Sequence, residues 1–466
     1  MNQKKQLMKN TIIISIGKFS TKIVSFLLLP LYTAILLPAE KGQVDLLNRI
    51  SLFLIPVITL QMDEALFRFL IDTKTSDDKK NIFSQLVIFS LISSFTWSIL
   101  IFIFGNILNY PYTNWLIFYC LASFLYTIVN GFLRGEGNFK MYSLLAFVNS
   151  LINISLNVLF LAVLHTGLTG MFLSYIIAST LTGIFGLFYL KAFRLVSLKL
   201  DKEKMRDMIK YSLPLVPSSI SWSIITLTDS LMITLNLGSS YNGIYSTSST
   251  FPTIMNTFFG FFNTSWRESA SRAVKTESKN TFYSEVYLSV RHFLMGVSIL
   301  IVAFLPFVFD LLVNKKYSES YIYIPLMVLS VYCSSLASFS SGIFSAYKDT
   351  KILAPTTFVA AVINLAFNFL FIKKLGLFAP ILGTLISYIV INFYRNYRLR
   401  KYIVLPYDKM MIPSYLVLIF VSMIYYSNNI YLHILGGIIG FSYSYYLNRD
   451  FVLKIIKGIK SKIKKR

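Results

Sequence analysis

The chain has 466 residues, of which 55% are hydrophobic and only 14% are charged, and its mean hydropathy is +0.63. These values exclude an ordinary soluble domain, in which about a quarter of the residues are charged. The formal net charge is +24. Lys and Arg fall mainly in alternate loops between apolar runs, where they set the topology of membrane proteins. We therefore predict an all-α polytopic membrane protein that binds no nucleic acid.

Apolar runs long enough to cross a bilayer as helices recur along the chain, and we predict about 14 of them. They form an N-lobe (1–190) and a C-lobe (211–409) of six helices each, followed by a terminal helix pair (410–447). A basic linker (191–210) joins the lobes, and a basic tail (448–466) ends the chain. The predicted spans are Thr11–Leu37, Gln43–Ile71, Ile82–Leu108, Trp115–Leu133, Met141–Leu164, Leu168–Leu190, Tyr211–Leu237, Gly243–Trp266, Tyr287–Val313, Tyr321–Tyr347, Ile352–Ile372, Leu377–Tyr394, Met410–Tyr426 and Ile430–Tyr446.

Basic residues are distributed unequally between the two sides of the membrane. With the N-terminus in the cytoplasm, cytoplasmic loops and termini hold about 35 of the 44 Lys and Arg residues, and the opposite loops hold about five. This asymmetry predicts that both termini are cytoplasmic. The basic tail either lies on anionic lipid headgroups or only anchors the topology.

The two lobes repeat each other in sequence. Ile152–Phe160 (INISLNVLF) resembles Ile363–Phe371 (INLAFNFLF), about 211 residues further along the chain. Each lobe has an even number of predicted spans, so both lobes start on the same side of the membrane. We therefore predict pseudo-symmetry about an axis along the membrane normal, with a substrate site between the halves near the midplane, as in transporters with parallel repeats.

Four basic residues fall inside the first predicted hairpin: Lys18, Lys22, Arg49 and Arg68. Lys18 and Lys22 are four residues apart and therefore share one helix face. Because a charge within the bilayer is costly, such residues usually face a water-filled cavity or a partner. Guanidinium groups bind phosphate oxygens bidentately, and ammonium groups act as point charges. The four residues predict a cavity for an anionic cargo.

The same pattern has a purely structural alternative. Asp45 precedes Arg49 by four residues and Glu64 precedes Arg68 by four, so each arginine could form an ion pair along its own helix. Arg68 could also serve only to anchor the end of its helix. The sequence leaves open whether these two arginines contact cargo or neutralise the neighbouring acids.

Asp229 is the only acidic residue deep in a span of the predicted C-lobe. A buried carboxylate of this kind can bind a proton or Na⁺ and couple transport to an ion gradient. The alternative is a structural hydrogen bond with a neighbour such as Ser221 or Thr226. Apart from such a coupling ion, the sequence predicts no cofactor and no metal.

Asparagines form a repeated stripe in both lobes, at Asn149, Asn153 and Asn157 and again at Asn364 and Asn368. Amides can bind sugar hydroxyl groups. They also join neighbouring helices through hydrogen bonds, each contributing about 0.6–2 kcal/mol. The pattern favours helix–helix bonding over sugar binding.

Several motifs resemble the central signature of a known family. They are Lys210–Trp222 (KYSLPLVPSSISW), Thr228–Ser230 (TDS), Asn242–Tyr245 (NGIY) and, after the fourth span, Arg134–Gly137 (RGEG). The chain is similar in these motifs to bacterial oligosaccharide flippases. These proteins translocate O-antigen, capsule or exopolysaccharide repeat units and belong to the multidrug/oligosaccharidyl-lipid/polysaccharide exporter superfamily. That family usually has Arg after the aspartate of the second motif, whereas this chain has Ser.

The resemblance implies a function, a location and partners. The chain would flip an undecaprenyl-pyrophosphate-linked oligosaccharide across the bacterial cytoplasmic membrane by alternating access, for surface polysaccharide biosynthesis. It would act as a monomer, with a polysaccharide polymerase as a candidate partner, and it would not be an enzyme. The family is also similar to the lipid II flippase, in which two terminal helices line a groove for the lipid tail.

Three other classes of function are alternatives. A cation-coupled multidrug exporter of the same superfamily would need an acidic cavity, whereas the charge in the first hairpin is mainly basic. A polysaccharide polymerase or ligase would need a sizeable external catalytic loop, and the predicted external loops are short. A passive scaffold would not explain why cations lie within the membrane, where they are costly.

Overall fold

The computed structural model describes residue 26 and residues 28–73, 75–197, 199–274 and 276–453. Within these ranges the regular elements are helices, which confirms the predicted all-α class. Short 3₁₀ turns and one π-helical turn connect or extend them. The α-helices in chain order are α1 (Leu29–Ile35), α2 (Pro38–Thr59), α3 (Met62–Asp72), α4 (Ser76–Ile107), α5 (Thr113–Gly135), α6 (Phe139–Val158), α7 (Gly167–Tyr189), α8 (Lys202–Ser212), α9 (Val216–Asn236), α10 (Ser239–Ala273), α11 (Lys279–Leu312), α12 (Ser320–Ala346), α13 (Leu353–Leu375), α14 (Phe378–Leu399), α15 (Met411–Tyr425) and α16 (Ile430–Leu447).

The hydropathy of these helices identifies a multi-pass membrane protein. Among the described residues, eight helices are long and apolar enough to cross a membrane, or nine if the bent pair α2–α3 is one span. In α4 only 17% of the most apolar window is buried inside the protein, as expected for a helix surrounded by lipid. The predicted number of fourteen spans stays a prediction.

The contacts divide the chain into two compact units, the first ending at Thr234 and the second beginning at Leu235. In the first unit, α2, α3, α4, α5 and α7 surround an apolar core that includes Leu66, Phe132 and Phe172. In the second unit, α10, α12 and α14 pack closely together. The predicted lobe boundaries stay a prediction.

A sharp break divides the second predicted span. Helix α2 ends at Thr59 and α3 begins at Met62, and the two axes differ by 52°. Leu60 and Gln61 join them with left-handed φ angles of 45° and 55°, a conformation that costs a non-glycine residue about 1–2 kcal/mol. Pro56 weakens the last turn of α2 because it has no N–H to donate. The break is therefore a strained feature that the surrounding protein holds in place.

The predicted linker is an ordered part of the first unit, because the N-terminal part of α4 binds it through buried polar side chains. Ser84 accepts a hydrogen bond from the Ser197 N–H at 2.8 Å, and Gln85 accepts one from the Asp201 N–H at 3.0 Å. Asn81 donates to the Asp201 carboxylate at 2.7 Å. Ser84 and Gln85 are 1% and 0% exposed, so these bonds satisfy groups that burial would otherwise penalise. We call this set of contacts the linker clasp.

Helix α8 continues from the linker clasp and packs against α3 and α4. Met208 is fully buried on its apolar side, and the Ser212 hydroxyl lies 3.5 Å from the Met62 sulfur at the start of α3. Its other side carries exposed charged residues such as Lys202 and Arg206. An amphipathic helix of this kind suits a membrane–water interface. We call this side of the first unit the linker end.

Candidate functional site

The structure describes two of the four basic residues predicted to line a cavity. Lys18 and Lys22 lie outside the described residues, and their role stays a prediction. Arg49 lies in α2 and Arg68 lies in α3, so the break separates them along the chain. The two arginines have different surroundings.

Arg49 takes part in a polar contact between α2 and α9. Its Nε lies 2.6 Å from Oδ2 of Asp45, one turn earlier, and its Nη1 donates to the Thr226 carbonyl at 3.4 Å. The Ser230 hydroxyl donates to the same carboxylate oxygen at 3.2 Å. The Asp45–Arg49 pair considered from the sequence is therefore present, and cargo binding by Arg49 stays a prediction.

Arg68 is exposed and lines a cavity of about 430 Å³ at the linker end. Lys204 of α8 lines the same cavity, with its Nζ 5.9 Å from the centre of the Phe69 ring. Phe69 in turn meets Tyr211 edge-on, with ring centroids 6.2 Å apart. The cavity therefore combines two cations with an aromatic wall. Its remaining lining residues are Thr73, Asp78 and Ile82.

Glu64 binds a different arginine from the one considered from the sequence. Arg134 of α5 approaches it with both terminal nitrogens, at 2.9 and 3.2 Å from the two carboxylate oxygens. The guanidinium of Arg134 also lies 4.6 Å from the centre of the Phe67 ring. Glu136, two residues further on, pairs with Lys79 of α4 at 3.1 Å. These contacts join α3 to α5 and α5 to α4 at the linker end.

Asp229, the candidate for ion coupling, lies in α9 and is 1% exposed. The next residue, Ser230, is fully buried and makes the contact with Asp45 described above. This serine, at the position where the family resembled in sequence usually has arginine, thus helps to hold α9 against α2. The coupling role of Asp229 stays a prediction.

The asparagines of the first unit form hydrogen bonds within and between helices. Asn149 of α6 donates to the Thr182 hydroxyl of α7 at 2.9 Å. Asn157 donates to the side-chain oxygen of Asn153, one turn earlier, at 3.0 Å. The first contact joins two helices, and the second stays within one.

The second unit repeats this arrangement. Asn364 of α13 donates to the Thr384 hydroxyl of α14 at 3.0 Å, and Asn368 donates to the side-chain oxygen of Asn364 at 3.3 Å. Both asparagines are fully buried. The contacts are of the kind that the helix-bonding interpretation requires, and sugar binding by these residues stays a prediction.

Sequence reasoning assigned Arg395 to the charges that set topology, but the structure buries it. It is 1% exposed in α14, and its guanidinium donates to the Ala337 carbonyl at 3.0 Å and to the Ser341 hydroxyl at 2.8 Å in α12. It also donates to the hydroxyls of Thr356 and Thr357 in α13 at 2.8 and 3.1 Å. One side chain thus holds three helices together. Its position directly after an apolar run was the available signal.

A second buried cluster joins α11 to the segment before α15. Asp408, 5% exposed, lies 3.5 Å from Nε of Arg291 and 3.2 Å from Nε2 of His292. Arg291 also donates to the Tyr332 hydroxyl at 3.3 Å. Asp408 is an isolated acid in a basic stretch of sequence, which was the only sign of this contact.

The fold is that of known transporters. The lipid II flippase MurJ in its inward closed conformation has a TM-score of 0.75 at 15% sequence identity, over 96% of this chain and 100% of that chain. A multidrug resistance MATE family transporter of the MOP superfamily, inward-facing, has a TM-score of 0.66 at 17% identity, over 83% and 98%. Its outward-facing conformation gives 0.56 at 18% identity, over 84% and 96%. These likenesses show a shared fold.

The sequence comparisons place the chain more narrowly. A search of curated protein sequences gives no significant match. A family model described as "Polysaccharide biosynthesis protein" matches residues 7–267, which is more than half of the chain. The resemblance inferred from the sequence motifs is thereby confirmed. The chain belongs to the polysaccharide biosynthesis protein family.

Proposed function

We propose that the chain flips an undecaprenyl-pyrophosphate-linked oligosaccharide across the bacterial cytoplasmic membrane by alternating access, for surface polysaccharide biosynthesis. The family supports the link to polysaccharide, and the fold supports transport rather than catalysis. In this proposal both termini and the linker end face the cytoplasm, where the cargo is made. A polysaccharide polymerase is the candidate partner that receives the cargo on the other side.

The observation that carries this proposal is the basic cavity at the linker end. A pyrophosphate has about two negative charges, and moving it out of water requires cations that replace the lost hydration. Arg68 can bind phosphate oxygens with its planar fork, and Lys204 adds a mobile charge from the opposite wall. The cavity volume of about 430 Å³ lies within the range usual for ligand pockets.

The proposal gives the other predicted residues further roles. Lys18, Lys22 and Arg49 would continue the basic path into the membrane. Asp229 would supply ion coupling, and the asparagine stripes would hold the helices together.

The second candidate function is a cation-coupled multidrug exporter. The MATE likeness and the buried carboxylate of Asp229 favour it. The surplus of positive charge in the cavity disfavours it, because a cationic drug would be repelled by Arg68 and Lys204.

Charge removal in the cavity tests the proposal. The double variant Arg68→Gln, Lys204→Gln loses both cations, whereas Lys202→Gln, Arg206→Gln removes the same charge from the exposed side of α8. Flipping of a fluorescent undecaprenyl-pyrophosphate oligosaccharide is measured in proteoliposomes at matched protein amounts. One lost charge-assisted bond is worth about 1.5–3 kcal/mol, so the first variant should be slowed at least roughly tenfold. Equal rates in both variants would overturn the proposal.

A further inference from the structure

The break between α2 and α3 places a half-buried aspartate, with one enclosed carboxylate oxygen, at the start of a helix. Asp63 is the second residue of α3, and its Oδ1 is inaccessible to solvent and accepts no hydrogen bond from the described part of the chain. Helix α5 closes over it, because a Cβ added at Gly131 would lie 3.0 Å from the Asp63 Cβ. A buried polar atom without a partner is rare and calls for a physical reason.

The groups around Asp63 do not neutralise it. Glu64, the next residue, adds a second carboxylate and already binds the Arg134 guanidinium through both of its oxygens. Arg134 is the cation close enough to act on Asp63 among the described residues. Helices α4 and α8 reach the break through the uncharged hydroxyls of Ser93 and Ser212. With both carboxylates ionised, negative charge therefore exceeds positive charge at this place.

We propose that Asp63 is a proton-binding site that controls the break between α2 and α3. A proton from water forms an O–H bond with Oδ1, and the carboxylate becomes a neutral acid with no other bond made or broken. The site is separate from Asp229 and from the cations of the basic cavity.

The position of Asp63 in α3 links its charge to the break. A carboxylate in the first turn of a helix is attracted by the free N–H groups of that turn. The ionised form of Asp63 therefore stabilises α3 as a separate helix and offsets the strain at Leu60 and Gln61. When the carboxylate binds a proton this attraction disappears, and the two helices shift towards one continuous helix. Arg68 lies in the same short helix, so the shift also reorients the wall of the basic cavity.

The chain contains a matched control for this idea. Asp77 is the second residue of α4, the same position relative to a helix start, but it is exposed. Asp63→Asn and Asp77→Asn therefore remove the same charge from the same helical position, one buried and one in water. Asparagine has nearly the size of aspartate, so both variants can be compared as folded proteins.

Infrared difference spectra between alkaline and acidic pH test the proton site. Acidification should produce one C=O stretch of a protonated carboxyl that is present in the wild type and in Asp77→Asn and lost in Asp63→Asn, whereas any band from buried Asp229 stays in all three proteins. Identical carboxyl bands in the wild type and in Asp63→Asn would overturn the proposal.

Amide hydrogen exchange tests control of the break. At one alkaline pH, the amides of residues 60–64 should exchange several-fold more slowly in Asp63→Asn than in the wild type and in Asp77→Asn. A continuous helix replaces the short-range bonds of Leu60, Gln61 and Glu64, which reach only two or three residues back, with regular helical bonds. Comparison at one pH cancels the intrinsic exchange rates. Equal exchange in all three proteins would show that Asp63 does not control the break. Neither measurement depends on the identity of the cargo.

Discussion

Replacing Arg395 tests how the second unit is held together. The guanidinium is buried, and in Arg395→Leu the acceptors on α12 and α13 lose their donors. Each buried acceptor left without a partner costs about 1–3 kcal/mol. The full sum does not apply, because the Ser341 hydroxyl still donates to the Ala337 carbonyl at 3.0 Å and the Thr356 hydroxyl donates to the Ile352 carbonyl just before α13. We expect a loss of about 1–3 kcal/mol, the cost of leaving buried neutral acceptors short of a donor, since no buried charge is left unpaired.

The assay is thermal unfolding of the purified protein in detergent, followed by fluorescence-detected size exclusion. A domain of this size loses about 2–4 °C in Tm for each kcal/mol, so Arg395→Leu should unfold about 5 °C below the wild type. Arg395→Lys should recover only part of the loss, because an ammonium cannot reproduce the planar fork. Arg398→Leu, which removes an exposed arginine from the same helix, is the control. A Tm for Arg395→Leu equal to that control would refute the reasoning.

Three further predictions concern the first unit. A double-mutant cycle with Arg134→Gln and Glu64→Gln should give a coupling energy of about 1 kcal/mol in thermal unfolding, since the pair is partly exposed; additive effects would contradict the pair. Hydrogen bonds from the Lys204 N–H and the Asn81 amide lower the pKa of Asp201. The ionised carboxylate therefore stabilises the linker clasp at pH values above the usual carboxyl pKa of about 3.9. This stabilisation is lost as the pH falls through the lowered pKa. Pepsin should therefore cut the linker of the wild type more readily as the pH falls, and this increase should be absent in Asp201→Asn. Identical acid profiles of the two proteins would contradict this prediction. Gly131→Val should destabilise the unit by about 1–3 kcal/mol through overpacking, whereas Gly260→Ala, where a Cβ meets nothing within 4 Å, should not; equal Tm values would argue against the close approach.

Hydropathy and the internal repeat predicted the fold class well, because both depend on properties that are local in sequence. The amides of Asn153 and Asn364 illustrate this, because their equivalence was visible as a repeated motif. In each unit the asparagine one turn later, Asn157 or Asn368, donates a hydrogen bond to the equivalent residue. The Asp45–Arg49 pair was also visible, because its partners are one helical turn apart. Contacts of this range can be inferred from spacing alone.

Contacts between distant parts of the chain could not be inferred in this way. Arg134 and Glu64 are separated by 70 residues, and neither spacing nor composition distinguishes Arg134 from Arg68 as the partner of Glu64. The left-handed conformations of Leu60 and Gln61 depend on packing around the break rather than on residue type. Burial of Arg395 depends on two neighbouring helices that supply oxygens at the right distance. Each of these features exists only after the helices have assembled.

The linker clasp has a consequence for expressing this protein as two fragments. The obvious cut lies in the basic linker, between the two predicted lobes, but a cut there would strip the first fragment of a surface that covers buried Ser84 and Gln85. The first fragment also needs α9, because the Ser230 hydroxyl of that helix donates a hydrogen bond to Asp45. The turn at Gly238, with its φ of 100° and no neighbour within 4 Å of a Cβ, offers a better site for a break, an affinity tag or a protease sequence. A first fragment ending there would keep the linker clasp and α9, the helix that the sequence alone assigns to the other half.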